Sequence, residues 1–386
     1  MTILLLIADS VRDDAVGPQT APTLDLLGQE GCRFTRSYCS GSWTVPSLAA
    51  IESGLHPHRI GVAHWGQAPQ PAAPAGGILA AAGAAGLDVQ VYTPAPQWSW
   101  LGWPARGQVG DSQDLAAVCA ALRGRDRLVV VHHLWTHVPY VCKPLALSGH
   151  RRAADAAVDA LARIPGADAR LARLYAAAVR HLSEEVLPRY LDALLAGGDE
   201  VLALVTADHG ETWGASLPPG RRVEHVYDLH GRWMTDETTR VPLIAWGRTP
   251  QGPVQASAPG GFARGVDLCP TLREILGQPV PADREGRSLL PSLLVGADAP
   301  ATEALTVASF NVVHPETYPT DGRVQWRRYA RVSASGRQTW DALDDGPGPP
   351  ELAAEHARAL GPAAILAAPR PTLAHALRTL GYADAS

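Results

Sequence analysis

Three places in the chain put acidic or imidazole side chains where an apolar run stops. Asp9 directly follows "TILLLIA", Asp208 and His209 follow "EVLALVTA", and His132 and His133 close "DRLVVVHH". A carboxylate in such a place can cap a helix or stay solvated in a turn, and Arg12, Asp13 and Asp14 can simply pair with one another. It can also face a ligand beyond the strand. A single Asp fits the first use. An Asp-His pair together with a second Asp fits the other, because a mixed oxygen and nitrogen set suits zinc or manganese. Gly210, next in line, permits a tight turn.

A fourth candidate is Thr44, in "SWTVPSLAAIESGLHPHRIGV". The pattern predicts a helix, with Ser42 or Thr44 as its N-cap and Pro46 in its first turn. The same position meets free backbone N–H groups and the positive end of the helix dipole, which suits an oxygen attacking an anionic ester. A dication nearby would lower the pKa of the hydroxyl and make it a nucleophile. The residue types alone leave both roles open.

These side chains must be held by a fold, and the composition points to an ordered one. The chain has 386 residues, 46% apolar and 18% charged, enough for one large core or two ordinary ones. A formal charge of -5 gives no reason to expect nucleic acid. Lys143 is the only lysine, so a cationic clamp must use arginine, histidine or metal. Five cysteines without a Cys-x-x-Cys pair argue against a disulfide framework or a cysteine-built zinc site, and Cys39 and Cys269 read as small buried residues. "ILLLIA" is too short for a membrane span and lacks a basic leader, so it reads as the buried first strand of a cytoplasmic protein.

The apolar runs "TILLLIAD", "LDVQVYTP", "DRLVVVHHLW", "EVLALVTADHG" and "TRVPLIAWG" alternate with alanine-rich, helix-like stretches over Gly77 to Ala85, Ser112 to Leu122 and Arg151 to Leu195. Such alternation predicts a mostly parallel α/β sheet, with ligands at the carboxyl ends of its strands. "PQPAAPAGG" and "DDGPGPPE" read as loops. "TVASFNV", "RRYARVS" and "RQTWDAL" suggest a small antiparallel C-terminal subdomain, followed by a helix near Pro371 to Leu380. Trp43, Trp98, Trp100 and Trp103 can wall a pocket or belong to the core.

The chain resembles the sulfatase-like branch of the alkaline phosphatase superfamily. The resemblance rests on "ADSVRDD", "TAPTLDLLGQEGCRFTRSYCSGSWTVPSLAAIESGLHPHRIGV", "HLWTHVPY", "TADHGE", "TTRVPLIAWG" and "VDLCPTLREILGQPVPADREGRSLLPSLL", in the family's order over roughly the first three quarters of the chain. It implies an alkaline-phosphatase-like α/β fold over residues 1–300 and a small antiparallel subdomain over residues 301–386. It implies a metal held by Asp9, Asp208 and His209 and contacted by Thr44, which stands at the nucleophile position. It also implies that His137 and His230 act on the substrate anion or the leaving group. His133, Arg12, His58, Arg59 and Arg240 are further anion contacts to consider.

Departures from the family pattern refine the expected activity. Sulfatases carry Cys-x-Pro-Ser-Arg, whose cysteine becomes formylglycine. Here the stretch is "TVPSL", with Thr44 and Leu48 in place of the cysteine and arginine. Ser10 stands where the second carboxylate of an Asp-Asp pair is expected. The resemblance therefore implies a metal-dependent phosphate ester hydrolase, a phosphodiesterase or phosphomonoesterase, with phosphotransfer as a variant. Hydrolysis of sulfate or phosphonate esters without formylglycine, and a non-catalytic scaffold, are the alternatives. One zinc or manganese ion is expected. A second is open, with His133, His137 and His230 as its ligands and His225 as a further candidate, while His132 reads as a core residue. The expected partner is a small-molecule anionic ester, and nothing in the sequence indicates the oligomeric state.

Overall fold

The structure is a computed structural model, and it describes residues 1–60, 76–93, 108–138, 140, 167–213, 229–231, 233–310 and 326–343. The strands in chain order are β1 (Thr2–Ala8), β2 (Cys32–Arg33), β3 (Ser37–Tyr38), β4 (Asp88–Tyr92), β5 (Gln108–Gly110), β6 (Arg127–His133) and β7 (Val201–Thr206). They continue with β8 (Leu243–Thr249), β9 (Gly252–Pro253), β10 (Ala263–Arg264), β11 (Glu303–Phe310), β12 (Trp326–Ser333) and β13 (Gly336–Leu343).

The main sheet has eight strands in the order β2-β8-β7-β1-β6-β4-β5, with β9 beside β8. β7, β1, β6, β4 and β5 run parallel, and β8 and β2 complete the edge antiparallel. β1 lies at the centre, and every one of its residues is buried. That is why its sequence is a continuous apolar run rather than an alternating one.

Side chains of successive strand residues point to opposite faces, so each strand feeds two cores. Ile3, Leu5 and Ile7 face one core together with Leu128, Val130, Leu202 and Leu204. Leu4, Leu6 and Ala8 face the other with Val129, Val131, Ala203 and Val205. Helices α1 (Pro22–Glu30), α2 (Thr44–Ser53), α3 (Ile78–Ala84), α4 (Leu115–Leu122), α5 (Ala167–His181) and α6 (Leu187–Ala196) divide between these faces. So do α8 (Leu268–Ile275) and α9 (Leu290–Val295), while the single turn α7 (Asp236–Thr239) precedes β8. α2, α3, α8 and α9 cover the first face, and α1, α4, α5 and α6 the second.

The expected strands correspond to β1, β4, β6, β7 and β8, and the three C-terminal pieces form an antiparallel sheet, β11-β12-β13. That sheet is joined to the rest. Val307 N donates to Ser40 O at 3.0 Å, and Thr306 Oγ1 donates to Cys39 O at 2.7 Å. The 39–42 segment leading into α2 is thereby clamped from outside. The expected helix near Pro371 to Leu380 and the loop from residue 344 lie outside the described residues, as does the first part of the Arg151 to Leu195 stretch.

Candidate active site

Asp9 lies one residue beyond β1, and its N–H donates to His133 O at 2.9 Å, carrying the ladder one step further. Ser10 then takes a left-handed conformation, φ 63, which turns the chain sharply away from the sheet. From there its hydroxyl donates to Asp9 Oδ1 at 2.8 Å and its N–H to Asp208 Oδ1 at 3.2 Å. Asp208 follows β7, the neighbour of β1, and Ser47 Oγ of α2 donates to its carbonyl at 2.5 Å. Gly210 does not need its glycine for a positive φ. A Cβ there would lie 2.0 Å from Glu237 O, so the residue is glycine because the backbone of α7 passes against it.

Asp9, Asp208 and His209 converge, with one ligand atom from each lying within 4.8 Å of the others. All three are fully buried. His209 Nδ1 donates to Gly210 O at 2.9 Å, so Nε2 turns its lone pair into the cluster, 3.6 Å from Asp9 Oδ1 and 3.5 Å from Asp208 Oδ2. Asp208 Oδ2 is buried and makes no hydrogen bond of ordinary length, its nearest imidazole nitrogens standing 3.5 and 3.7 Å away. Leaving a carboxylate oxygen in that state is costly unless a cation faces it. Converging electron-pair donors around an orphaned oxygen therefore fit a divalent metal ion.

Thr44 is the first residue of α2. The N-cap is Trp43, and no side chain caps the helix. The Thr44 hydroxyl instead points at the cluster, with Oγ1 3.4 Å from Asp9 Oδ2 and 3.3 Å from His209 Nε2.

His137 and His230 complete the rim. His137 Nδ1 donates to Val138 O at 2.5 Å, and His230 Nδ1 donates to Glu211 Oε1 at 2.9 Å, which leaves Nε2 of His230 for a substrate. The His230 ring stacks on His209 at 4.4 Å and meets His137 edge-on at 5.0 Å. The His230 side chain is 12% exposed and Thr44 and His137 are each 5% exposed, against 0% for the three ligands, so the site opens on the side of the hydroxyl and these two imidazoles.

Charge in the site is strongly coupled. Burial works against ionisation of Asp9, but the surrounding His137, His132 and His209 outweigh it and hold the carboxyl well below its usual range. Burial likewise opposes protonation of His230, and the hydrogen bond to Glu211 outweighs it, so its pKa is raised.

Residues 1–103 match the family model described as Sulfatase. The fold agrees with solved structures along nearly the whole chain. A 2-O GAG sulfatase superposes with a TM-score of 0.66 at 16% identity, covering 92% of this chain and 86% of that one. The phosphonate monoester hydrolase of Silicibacter pomeroyi gives 0.60 at 18% identity, covering 98% and 95%. The chain has a sulfatase-like fold. A 108-residue segment is 34% identical to the 2,3-bisphosphoglycerate-independent phosphoglycerate mutase of Desulforudis audaxviator. That segment is 28% of this chain and spans only 18% of the mutase's length.

Within the sulfatase-like fold, two expected substrate contacts stand elsewhere. Strand alternation sends His133 to the face opposite Thr44, where it meets Trp135 edge-on at 4.3 Å. Burial and the nearby His132 and His181 push its pKa down to about 3. It therefore does not join His137 around a second ion, and the Asp9-Asp208-His209 cluster is the one metal-type group found among the described residues. The Arg12 guanidinium is taken up by Asp14, by Glu211 O at 3.3 Å, by Glu237 at 3.6 Å and by the Trp213 ring at 4.6 Å. It braces the wall of the site and does not project into it. Arg240 binds Thr35 O and Asp13, Arg59 is exposed, and His58 is buried beside His56. His225, Trp98, Trp100 and Trp103 lie outside the described residues.

Two contributors escaped the sequence reading. His132, taken for core, sits at the cluster, with Nε2 3.2 Å from Asp9 Oδ2 and 3.7 Å from Asp208 Oδ2. Burial opposes its protonation, but the two carboxylates push its pKa up to about 9. Its signal was parity, because Leu128, Val130 and therefore His132 share the face covered by α2. Glu211, the last residue of "TADHGE", is fully buried and anchors His230.

Proposed function

We propose that the chain is a metal-dependent hydrolase of phosphate esters with Thr44 as its nucleophile. The observation that carries the reading is the Thr44 hydroxyl itself. It heads a helix it does not cap, beside Asp9 and His209, at the open side of a metal-type cluster. The orphaned Asp208 oxygen speaks against a non-catalytic scaffold, since a protein with no ion to bind has no use for it. Phosphoryl chemistry is favoured because threonine cannot become formylglycine and because the segment match is to a phosphoglycerate mutase.

Asp9, Asp208 and His209 would hold the ion, with zinc or manganese favoured by the ligand types. A bound ion lowers the pKa of a nearby hydroxyl and offsets charge on the non-bridging oxygens of the ester. Thr44 Oγ1 attacks phosphorus and gives up its proton to solvent. The ester P–O bond breaks, and the departing alkoxide takes a proton from Nε2 of His230 or His137. Water then attacks the phosphothreonine, which releases phosphate from a monoester substrate or a phosphate monoester from a diester, and restores the hydroxyl. An alcohol in place of water would make the same site a phosphotransferase. Hydrolysis of phosphonate esters is a second reading, favoured by the fold shared with the phosphonate monoester hydrolases of Silicibacter pomeroyi and Agrobacterium radiobacter.

The test compares turnover with melting temperature. Thr44→Ala should keep its melting temperature and lose turnover by several powers of ten, on the order of 10³-fold or more, because the covalent route is gone. Thr44→Ser should retain part of the activity, and acid-quenched enzyme should carry phosphate on the Thr44 peptide. An active but less stable Thr44→Ala variant would place the nucleophile elsewhere. Phosphate esters should also outpace 4-nitrophenyl sulfate by at least ~10²-fold, roughly 3 kcal/mol of transition-state preference.

A further inference from the structure

The geometry points to Glu211 as the positioning residue that aims both substrate-facing histidines from one buried carboxylate. Its Oε1 accepts from His230 Nδ1 at 2.9 Å, and its Oε2 accepts from the Tyr140 hydroxyl. The first contact fixes the tautomer of His230 and leaves Nε2 toward the open side. The second acts on His137. Tyr140 N donates to His137 O at 3.0 Å, closing the turn that carries that imidazole. Tyr140 holds a left-handed backbone, φ 58, which a bulky residue keeps only when its surroundings impose it.

Those surroundings run through Glu211. The Tyr140 hydroxyl also accepts from Trp213 Nε1 at 3.2 Å, and its ring meets Tyr175 edge-on at 5.7 Å. Tyr175 in turn spans Ser10 O and Arg12 N at 3.0 and 2.8 Å, tying the turn to the loop after Asp9. Arg12 holds Glu211 O, so the carboxylate is fixed at its own backbone as well. The choice of residue follows from the partners. Both are donors, and a carboxylate accepts from both. A glutamine of the same shape can keep both contacts only by turning its NH₂ onto the Tyr140 hydroxyl, and it then offers His230 Nδ1 a neutral oxygen in place of a charged one.

The inference rests on the proposed ester hydrolysis for its kinetic test and on nitrogen NMR for an independent one. Proton donation matters most for a poor leaving group. Glu211→Gln should therefore slow alkyl esters at least ~10²-fold more than 4-nitrophenyl esters, the scale of one general acid. Its metal content should not change. Tyr140→Phe, which spares the His230 contact, should show a smaller leaving-group dependence. Equal losses on all esters with a lowered melting temperature would make Glu211 a merely structural residue and overturn the inference. Imidazole ¹⁵N spectra of the wild-type protein should show His230 protonated at Nδ1, and Glu211→Leu, which offers no acceptor, should move that proton. A wild-type His230 lacking the Nδ1 proton overturns the inference even if neither variant folds. A protein that cleaves no ester but shows this NMR pattern overturns only the proposed reaction.

Discussion

At Asp208 the electrostatics predict a reversal of stability between two conditions. Its Oδ2 and the Asp9 carboxylate face each other across the cluster, two negative charges that share the single imidazole of His132. Asp208→Asn should thus melt at or above the wild type in chelator. With saturating zinc or manganese the order should invert, because only the wild type gains stability from a tightly bound ion. Calorimetry with and without chelator checks this, and a variant less stable in both conditions would mean that no ion belongs there. Asp9, Thr44, Asp208 and His209 were legible because each stands at the end of a strong pattern. Glu211 was not, although it closes "TADHGE", because the partners that define its role come from 71 and 19 residues away. Arg12 and His133 carried suitable chemistry by type, but pairing with Asp14 took the one, and strand parity the other.

Helix α2 is the element that delivers Thr44, and its far end is anchored as firmly as its start. Gly54 closes it in a left-handed conformation, φ 74, and a Cβ there would press on Cys269 at 3.1 Å. Glu285 reaches across from the loop before α9. Its N–H donates to Gly54 O, and its carboxylate accepts from His56 N at 2.7 Å and lies 3.2 Å from His56 Nδ1. Burial opposes ionisation of Glu285, but the contacts with His56 outweigh it and lower the pKa from 4.5 to about 2. A lowered carboxylate pKa stabilises the fold above the unfolded value and ceases to do so as the pH drops through the folded one. The contribution, on the order of 3 kcal/mol, should therefore fade between about pH 4.5 and pH 2. Denaturant melts of wild type and Glu285→Gln should differ most near pH 6 and converge toward pH 2. A gap independent of pH would assign the stability to packing. Long apolar strands were readable from sequence, whereas β2, β3, β9 and β10 have two residues each, too few for any period to show.

At the scale of the molecule, the C-terminal sheet acts on the site from outside it. Its β12-β13 hairpin sends Arg337 to Met234 O at 2.7 Å, to Thr239 Oγ1 at 2.9 Å and to Asp236, all just after the His230 segment. Arg337→Ala should raise amide exchange across Met234–Thr239 and cost about 1–3 kcal/mol, the scale of lost charge-assisted hydrogen bonds. Exchange mass spectrometry reads the effect directly, and unchanged protection of that segment would show that the hairpin is not its support. The antiparallel character of this subdomain was legible in its alternating residues. Its docking on the 39–42 segment and on α7 was not, because those contacts join residues about 100 to 270 positions apart.

β6, β1 and β7 are hydrogen-bonded neighbours at the middle of the sheet, and each ends at a residue of the cluster. The candidate cage is thus an extension of the buried centre of the sheet. An ion that entered it would have little backbone left to order. Release from so buried a place should be slow, so a newly folded chain should keep whichever suitable dication it meets first.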